Sequence, residues 1–93
     1  MNPAGGPLVE LFTTGGGCRL CERTRSDLEA LQARWPHRLV LRDLAHGPAP
    51  EADYVWRVPV VHLDGQRVAE GRIAPEALER ALAAASPRGA PRG

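Results

Sequence analysis

Two cysteines stand at C-x-x-C spacing behind a run of three glycines, in the segment GGGCRLC that covers residues 15–21. Cys18 and Cys21 are the only cysteines of the chain, so any thiol chemistry must use this pair. Two thiols at this spacing can form a structural disulfide, supply half of a metal site or act as a redox-active dithiol. The elements that flank them determine which of these functions is favoured.

The flanking residues place Cys18 where a strand is followed by a helix. The segment LVELFT at residues 8–13 is rich in strand-forming residues, and the glycines after it permit a sharp turn. A helical period then begins at Cys18, and Pro36 is expected to stop the helix. The positions of this period are Leu20, Cys21, Thr24, Leu28, Leu31 and Trp35.

A cysteine at the start of a helix is suited to nucleophilic chemistry. The unpaired N–H groups and the positive end of the helix dipole favour thiolate over thiol, and can lower the pKa of such a cysteine from about 8.5 to between about 3.5 and 7.5. Cys21 lies one turn later on nearly the same side, so the two sulfurs can close a disulfide. We therefore expect Cys18 to attack a substrate disulfide and Cys21 to resolve the mixed disulfide.

Other uses of the two thiols are less well supported by the pattern. An inert buried pair is one alternative. A closed zinc site needs four ligands, and no two of His37, His46 and His62 have zinc-finger spacing, so we expect surface or strand histidines and no intrachain metal site. A soft-metal (copper or zinc) or iron–sulfur module that uses the same two thiolates is the main alternative. Copper-chaperone-like domains, however, end on a strand and carry a methionine where Gly16 stands.

The remaining elements follow from apolar segments and turn residues. The order is predicted to be β-α-β-α-β-β-α, an α/β architecture with a four-stranded mixed sheet flanked by helices. Asp64-Gly65 predicts the hairpin between the last two strands. After the first helix we expect a strand at residues 38–43, a loop at 45–50, a short helix at 50–56, strands at 58–63 and 66–69, and a final helix from residue 75.

Composition limits the classes of protein and partner. The 93 residues are enough for one small domain, expected at residues 8–85 between a flexible N-terminus (1–7) and a disordered tail (86–93). The net charge of +1 gives no indication of a nucleic-acid or membrane partner, and the absence of lysine excludes Schiff-base chemistry. No secretory signal or membrane span is recognisable, so we expect the protein in the cytoplasm, where structural disulfides are uncommon. We also expect a monomer.

The ordered combination of these features resembles the thioredoxin fold, and most closely its small glutaredoxin-like proteins. The resemblance is carried by FTT leading to CRLCE at residues 18–22, by YVWRVPV at residues 54–60 and by LDG at residues 63–65. It implies that Cys18 is the nucleophile and Cys21 the resolving cysteine. It also implies that Pro59 is a cis-proline and that the backbone of Val58 pairs with a bound substrate or glutathione.

The sequence also departs from the glutaredoxin pattern. Arg19-Leu20 replaces the Pro-Tyr pair between the cysteines, and residues 69–72 lack the Gly-Gly and acidic pair that usually hold glutathione. We therefore predict a thiol–disulfide oxidoreductase with no tightly bound cofactor and glutathione only as a candidate co-substrate. Its substrate would be a disulfide in a protein or small molecule, and its electron donor a reductase or glutathione. A thioredoxin-fold protein that binds partners without turnover is a further alternative.

Overall fold

The computed structural model describes residues 6–14, 17–45 and 52–85. Residues 46–50 of the loop predicted at 45–50 and the predicted tail at 86–93 lie outside these ranges. The elements in chain order are β1 (Leu8–Thr13), α1 (Arg19–Leu31), β2 (Arg38–Asp43), a 3₁₀ helix (Ala52–Trp56), β3 (Val60–Leu63), β4 (Gln66–Glu70) and α2 (Pro75–Ala85). No helix in the described part of the chain has the length and apolar character needed to cross a membrane.

The strands form one mixed sheet in the order β2-β1-β3-β4. β1 and β2 are parallel, as expected for strands joined through a helix, and Leu8 lies opposite Arg38 at the start of the pair. β3 is antiparallel to β1 and to β4. Asp64 and Gly65 both have positive φ, at 51° and 87°, which is the backbone conformation of a two-residue hairpin turn. The α/β fold class is thereby confirmed, and the architecture is that of a thioredoxin-like fold.

The two faces of the sheet are covered by different elements. Both α-helices pack on one face, where alternate residues of β1 and β3 meet the apolar sides of α1 and α2. The other face carries a smaller cluster under the 3₁₀ helix, formed by Phe12, Tyr54 and Val60 with Leu44 at its edge. The main core consists of Val9, Leu11, Leu28, Trp35, Val61, Leu63, Leu78 and Leu82.

Several element bounds differ from the sequence-based expectation. α1 ends at Leu31, and the chain reaches Pro36 through a turn in which the Trp35 N–H donates to the Leu31 carbonyl at 2.7 Å. The short second helix is a 3₁₀ helix, so the order contains two α-helices. β3 begins at Val60, two residues later than predicted, because a proline has no N–H to contribute to a sheet.

The start of the chain is also better anchored than we expected. Residues 1–7 were predicted to be flexible, but Pro7 is buried and its carbonyl accepts a hydrogen bond from the Arg38 N–H at 3.0 Å. Gly6 has a φ of 78° and lies so close to the Pro36 carbonyl that a Cβ there would overlap it. These contacts bind residues 6 and 7 to the segment that enters β2, while residues 1–5 lie outside the described ranges.

Candidate active site

Cys18 is the N-cap residue of α1. Its backbone is extended, with φ −97° and ψ 102°, and its carbonyl accepts the hydrogen bond from the Glu22 N–H that opens the helix. Its Sγ accepts a hydrogen bond from the Cys21 N–H at 3.1 Å. The sulfur thus occupies the position at which Ser, Thr, Asn or Asp usually supplies a capping oxygen. The predicted location of Cys18 at a helix start is confirmed.

The two cysteines differ in their access to solvent. They are joined as a disulfide, and their Cα atoms lie 5.2 Å apart. Cys18 is partly exposed and is flanked by the exposed residues Gly17 and Arg19. Cys21, by contrast, is only 3% exposed and lies on the buried side of α1 with Thr24 and Leu28. In this arrangement an approaching molecule meets Cys18 before Cys21.

Val58 and Pro59 lie at the same edge of the sheet as the end of β1. The antiparallel register of β1 and β3 ends with Phe12 opposite Val60, and Pro59 directly precedes Val60. Pro59 is buried, Val58 is partly exposed, and the peptide bond between them is cis. Val58 makes no hydrogen bond to any residue within the ranges 6–14, 17–45 and 52–85. Its backbone N–H and C=O are thus not engaged by the described part of the protein.

Three contacts hold the segment that carries Val58 and Pro59. The Pro59 carbonyl accepts a hydrogen bond from the Gly71 N–H at 2.8 Å. Arg57 forms ion pairs with Asp53 at 2.7 Å and with Glu70 at 3.1 Å. Both carboxylates raise the pKa of the Arg57 guanidinium, so Arg57 stays charged and bridges the 3₁₀ helix to the end of β4.

Tyr54 and His62 form a buried hydrogen bond that the sequence did not indicate. The Tyr54 hydroxyl and Nε2 of His62 are hydrogen-bonded at 2.7 Å, and Phe12 packs against both rings at centroid distances of 5.6 and 4.7 Å. This bond connects the 3₁₀ helix, which precedes the segment 57–59, to β3, which follows it. All four residues of β3 are buried, so no alternation along the strand singles out His62 or identifies Tyr54 as its partner.

A shallow cavity of about 340 Å³ lies on the β2 side of Cys21. Its lining combines apolar residues of the sheet with polar residues of α1 and β2, and includes Leu11, Thr13, Glu22, Arg25, Leu41 and Asp43. No group of three or more His, Cys, Asp or Glu side chains in the described ranges could hold a metal ion. His37 and His62 are both buried residues at or within strands, and His46 lies outside those ranges.

Comparison with known proteins gives the family of the chain. No curated protein matches it. The model of one protein family, described as a glutaredoxin-like domain (DUF836), matches residues 8–83 and so covers every element from β1 to within α2. The matched range contains both cysteines and the Val58–Pro59 segment, in agreement with the resemblance found in the sequence. The chain therefore belongs to the glutaredoxin-like domain family.

Proposed function

We propose that this protein is a thiol–disulfide oxidoreductase in which Cys18 is the nucleophile and Cys21 the resolving cysteine. Membership of the glutaredoxin-like family supports a thioredoxin-like redox role. The observation that carries the finer proposal is the capping geometry, in which Cys18 Sγ accepts the Cys21 N–H at 3.1 Å. In the reduced protein the same N–H and the helix dipole would stabilise a Cys18 thiolate.

The proposed reaction consists of two thiol–disulfide exchanges. The Cys18 thiolate attacks one sulfur of the substrate disulfide, which breaks that bond, releases the other sulfur as a thiolate and forms a mixed disulfide with Cys18. Cys21 then loses its proton, attacks Cys18 Sγ and releases the second substrate thiolate. The substrate gains two electrons and takes up two protons, while the protein acquires the Cys18–Cys21 disulfide. A second dithiol, or two glutathione molecules, would supply the electrons that reopen it.

Val58 and Pro59 are proposed to hold the substrate during the attack. The free backbone groups of Val58 can pair with an extended peptide, which then adds to the protein as a short strand. Buried Pro59 fixes the position of this backbone through its contact with Gly71. A bound peptide or glutathione molecule would thereby bring its sulfur to the partly exposed Cys18. No tightly bound cofactor is required by this scheme.

The test is disulfide reduction by the reduced protein, with separate reactions supplied by glutathione or by a thioredoxin-type reductase. Cys18→Ser is expected to abolish turnover, because no other thiol is positioned to attack. Cys21→Ser is expected to accumulate a mixed disulfide that mass spectrometry detects on Cys18. Ser26→Ala, an exposed change on the same helix, serves as the control and should retain the wild-type rate.

Two results would contradict the proposal. One is full turnover by Cys18→Ser. The other is an inactive wild-type protein that carries copper, zinc or an iron–sulfur cluster on Cys18 and Cys21 when freshly purified. The second result would instead support the soft-metal module.

A further inference from the structure

A second groove begins beside the dithiol, on the side of α1 opposite the cavity near β2. It lies between the first turns of α1 and the segment that leads into α2, and its volume is about 360 Å³. Leu20, which stands between the two cysteines in the sequence, is one of its lining residues. The rest of its lining is Arg23, Thr24, Arg72, Ile73, Ala74 and Pro75.

Arginines on both walls give this groove a positive charge. Arg23 comes from α1 and Arg72 from the segment before α2. Arg19 precedes Arg23 by four residues, so both project from the same side of α1. None of these three side chains forms an ion pair or hydrogen bond with a described residue.

Most other arginines in the described ranges are neutralised by carboxylates. The paired ones are Arg25, Arg34, Arg42, Arg57 and Arg67. The arginines beside the dithiol are therefore not paired with any carboxylate in the described part of the chain, which is the arrangement expected of a surface that meets an anionic partner.

The nearby acidic residues form no ion pair with these arginines. Glu22 lines the opposite cavity, and Glu70 is occupied by Arg57 and Arg67. Asp27 follows Arg23 by one turn of α1, and Glu76 lies in the first turn of α2, but neither carboxylate comes within ion-pair distance of an arginine within residues 6–14, 17–45 and 52–85. The lining of the groove itself contains two arginines and no acidic side chain.

From these observations we infer that the substrate is a disulfide in an acidic peptide segment, whose carboxylates flank the cysteine and bind Arg19, Arg23 and Arg72. The inference rests on the proposed function, because it assumes that Cys18 attacks a bound disulfide. It adds the chemical class of the substrate. Leu20 places the groove next to the dithiol, and its two arginines come from different elements, so it suits a peptide with charges on several residues.

The experiment follows a single turnover of the reduced protein with three mixed disulfides of 2-thiopyridine. Their thiol components are a cysteine peptide flanked by glutamates, the same peptide with glutamines, and glutathione. Attack of Cys18 on the peptide or glutathione sulfur releases 2-thiopyridone, whose absorbance gives the rate. We expect the glutamate peptide to react about tenfold faster than the glutamine peptide at low salt, and the difference to shrink as the ionic strength rises.

Charge-reversal variants test whether Arg23 and Arg72 cause the preference for the glutamate peptide. Arg23→Glu with Arg72→Glu should abolish or invert the preference for the glutamate peptide, and Arg23→Lys with Arg72→Lys should keep part of it. Arg38→Glu is the matched control, because the Arg38 side chain is also unpaired but stands at the start of β2, at the end of the sheet away from Cys18. It should leave the ratio of the two peptide rates unchanged.

The outcomes separate the two proposals. Equal rates for the glutamate and glutamine peptides in the wild type, with release that depends on Cys18, would overturn the inference and leave the proposed function intact. A salt-independent preference, or one that survives charge reversal, would also overturn it. Faster reaction with the glutathione disulfide than with the glutamate peptide would indicate that the arginines bind a small thiol rather than a peptide, and would overturn the inference. Release that does not depend on Cys18 would refute the proposed function itself.

Discussion

Removal of the Tyr54 hydroxyl should destabilise the protein by breaking the bond between the 3₁₀ helix and β3. In Tyr54→Phe the ring and its edge-on contact with Phe12 are retained, and only the hydroxyl that is hydrogen-bonded to His62 is lost. His62 is 8% exposed, so its Nε2 would be left without a partner in a buried position. Such a group costs about 1–3 kcal/mol, which for a domain of this size lowers the unfolding midpoint by roughly 4–8 °C per kcal/mol.

The assay is chemical and thermal unfolding of the wild type, Tyr54→Phe, His62→Leu and the double variant. A double-mutant cycle separates the hydrogen bond from other effects of each change, and we expect a coupling free energy of at least about 1 kcal/mol. Because the bond does not touch either cysteine, the alkylation rate of Cys18 in the folded protein should not change. A free energy of unfolding for Tyr54→Phe within about 0.5 kcal/mol of the wild type would refute the reasoning.

Three further changes test other parts of the structure. Burial lowers the pKa of His37 from 6.5, so below that pH the unfolded chain binds a proton that the folded protein does not. The free energy of unfolding should therefore fall as the pH drops below 6.5. His37→Gln should remove this contribution to the pH dependence in denaturant titrations at several pH values. Leu28→Ala should lower the free energy of unfolding by about 2–5 kcal/mol, because Leu28 is 1% exposed between the sheet and α2, and a loss below about 1 kcal/mol would contradict that packing. Gly6→Ala should destabilise more than Gly65→Ala, since both have positive φ but only the first would overlap a carbonyl, and equal unfolding midpoints would show that Gly6 is not held as described.

Much of the arrangement around the cysteines is encoded locally. Phe12 and Thr13 end an apolar strand, glycines follow, and a helical period starts at Cys18, so the N-cap position could be predicted from neighbouring residues alone. The Asp64-Gly65 turn is equally local, because that dipeptide tolerates the positive φ that the hairpin requires.

Features that depend on tertiary contacts could not be predicted. The true end of α1 is one example, since Trp35 fits the helical period but reaches the core from a turn, where its indole N–H donates to Glu79 on α2 at 2.7 Å. The Tyr54–His62 bond joins two elements whose relative position the sequence does not specify. The groove between Arg23 and Arg72 likewise arises only when α1 and the start of α2 pack together.

The position of the two sulfurs also accounts for the division of roles that we propose. Both cysteines belong to one helical turn, yet Cys18 caps the helix and Cys21 faces the core. Cys18 is partly exposed to an approaching substrate, whereas Cys21 is only 3% exposed and lies on the buried side of α1. In the proposed reaction the substrate disulfide therefore reacts first with Cys18, and Cys21 attacks Cys18 afterwards.

The most direct test of this account is the pH dependence of alkylation in the fully reduced protein, with the modified cysteine identified by mass spectrometry. Cys18 should react first, and its rate should rise with a midpoint below the value of about 8.5 that is usual for a free cysteine. Cys21 should react more slowly at every pH in the folded protein. Faster modification of Cys21, or a Cys18 midpoint at or above about 8.5, would contradict the claim that the start of α1 activates an accessible sulfur.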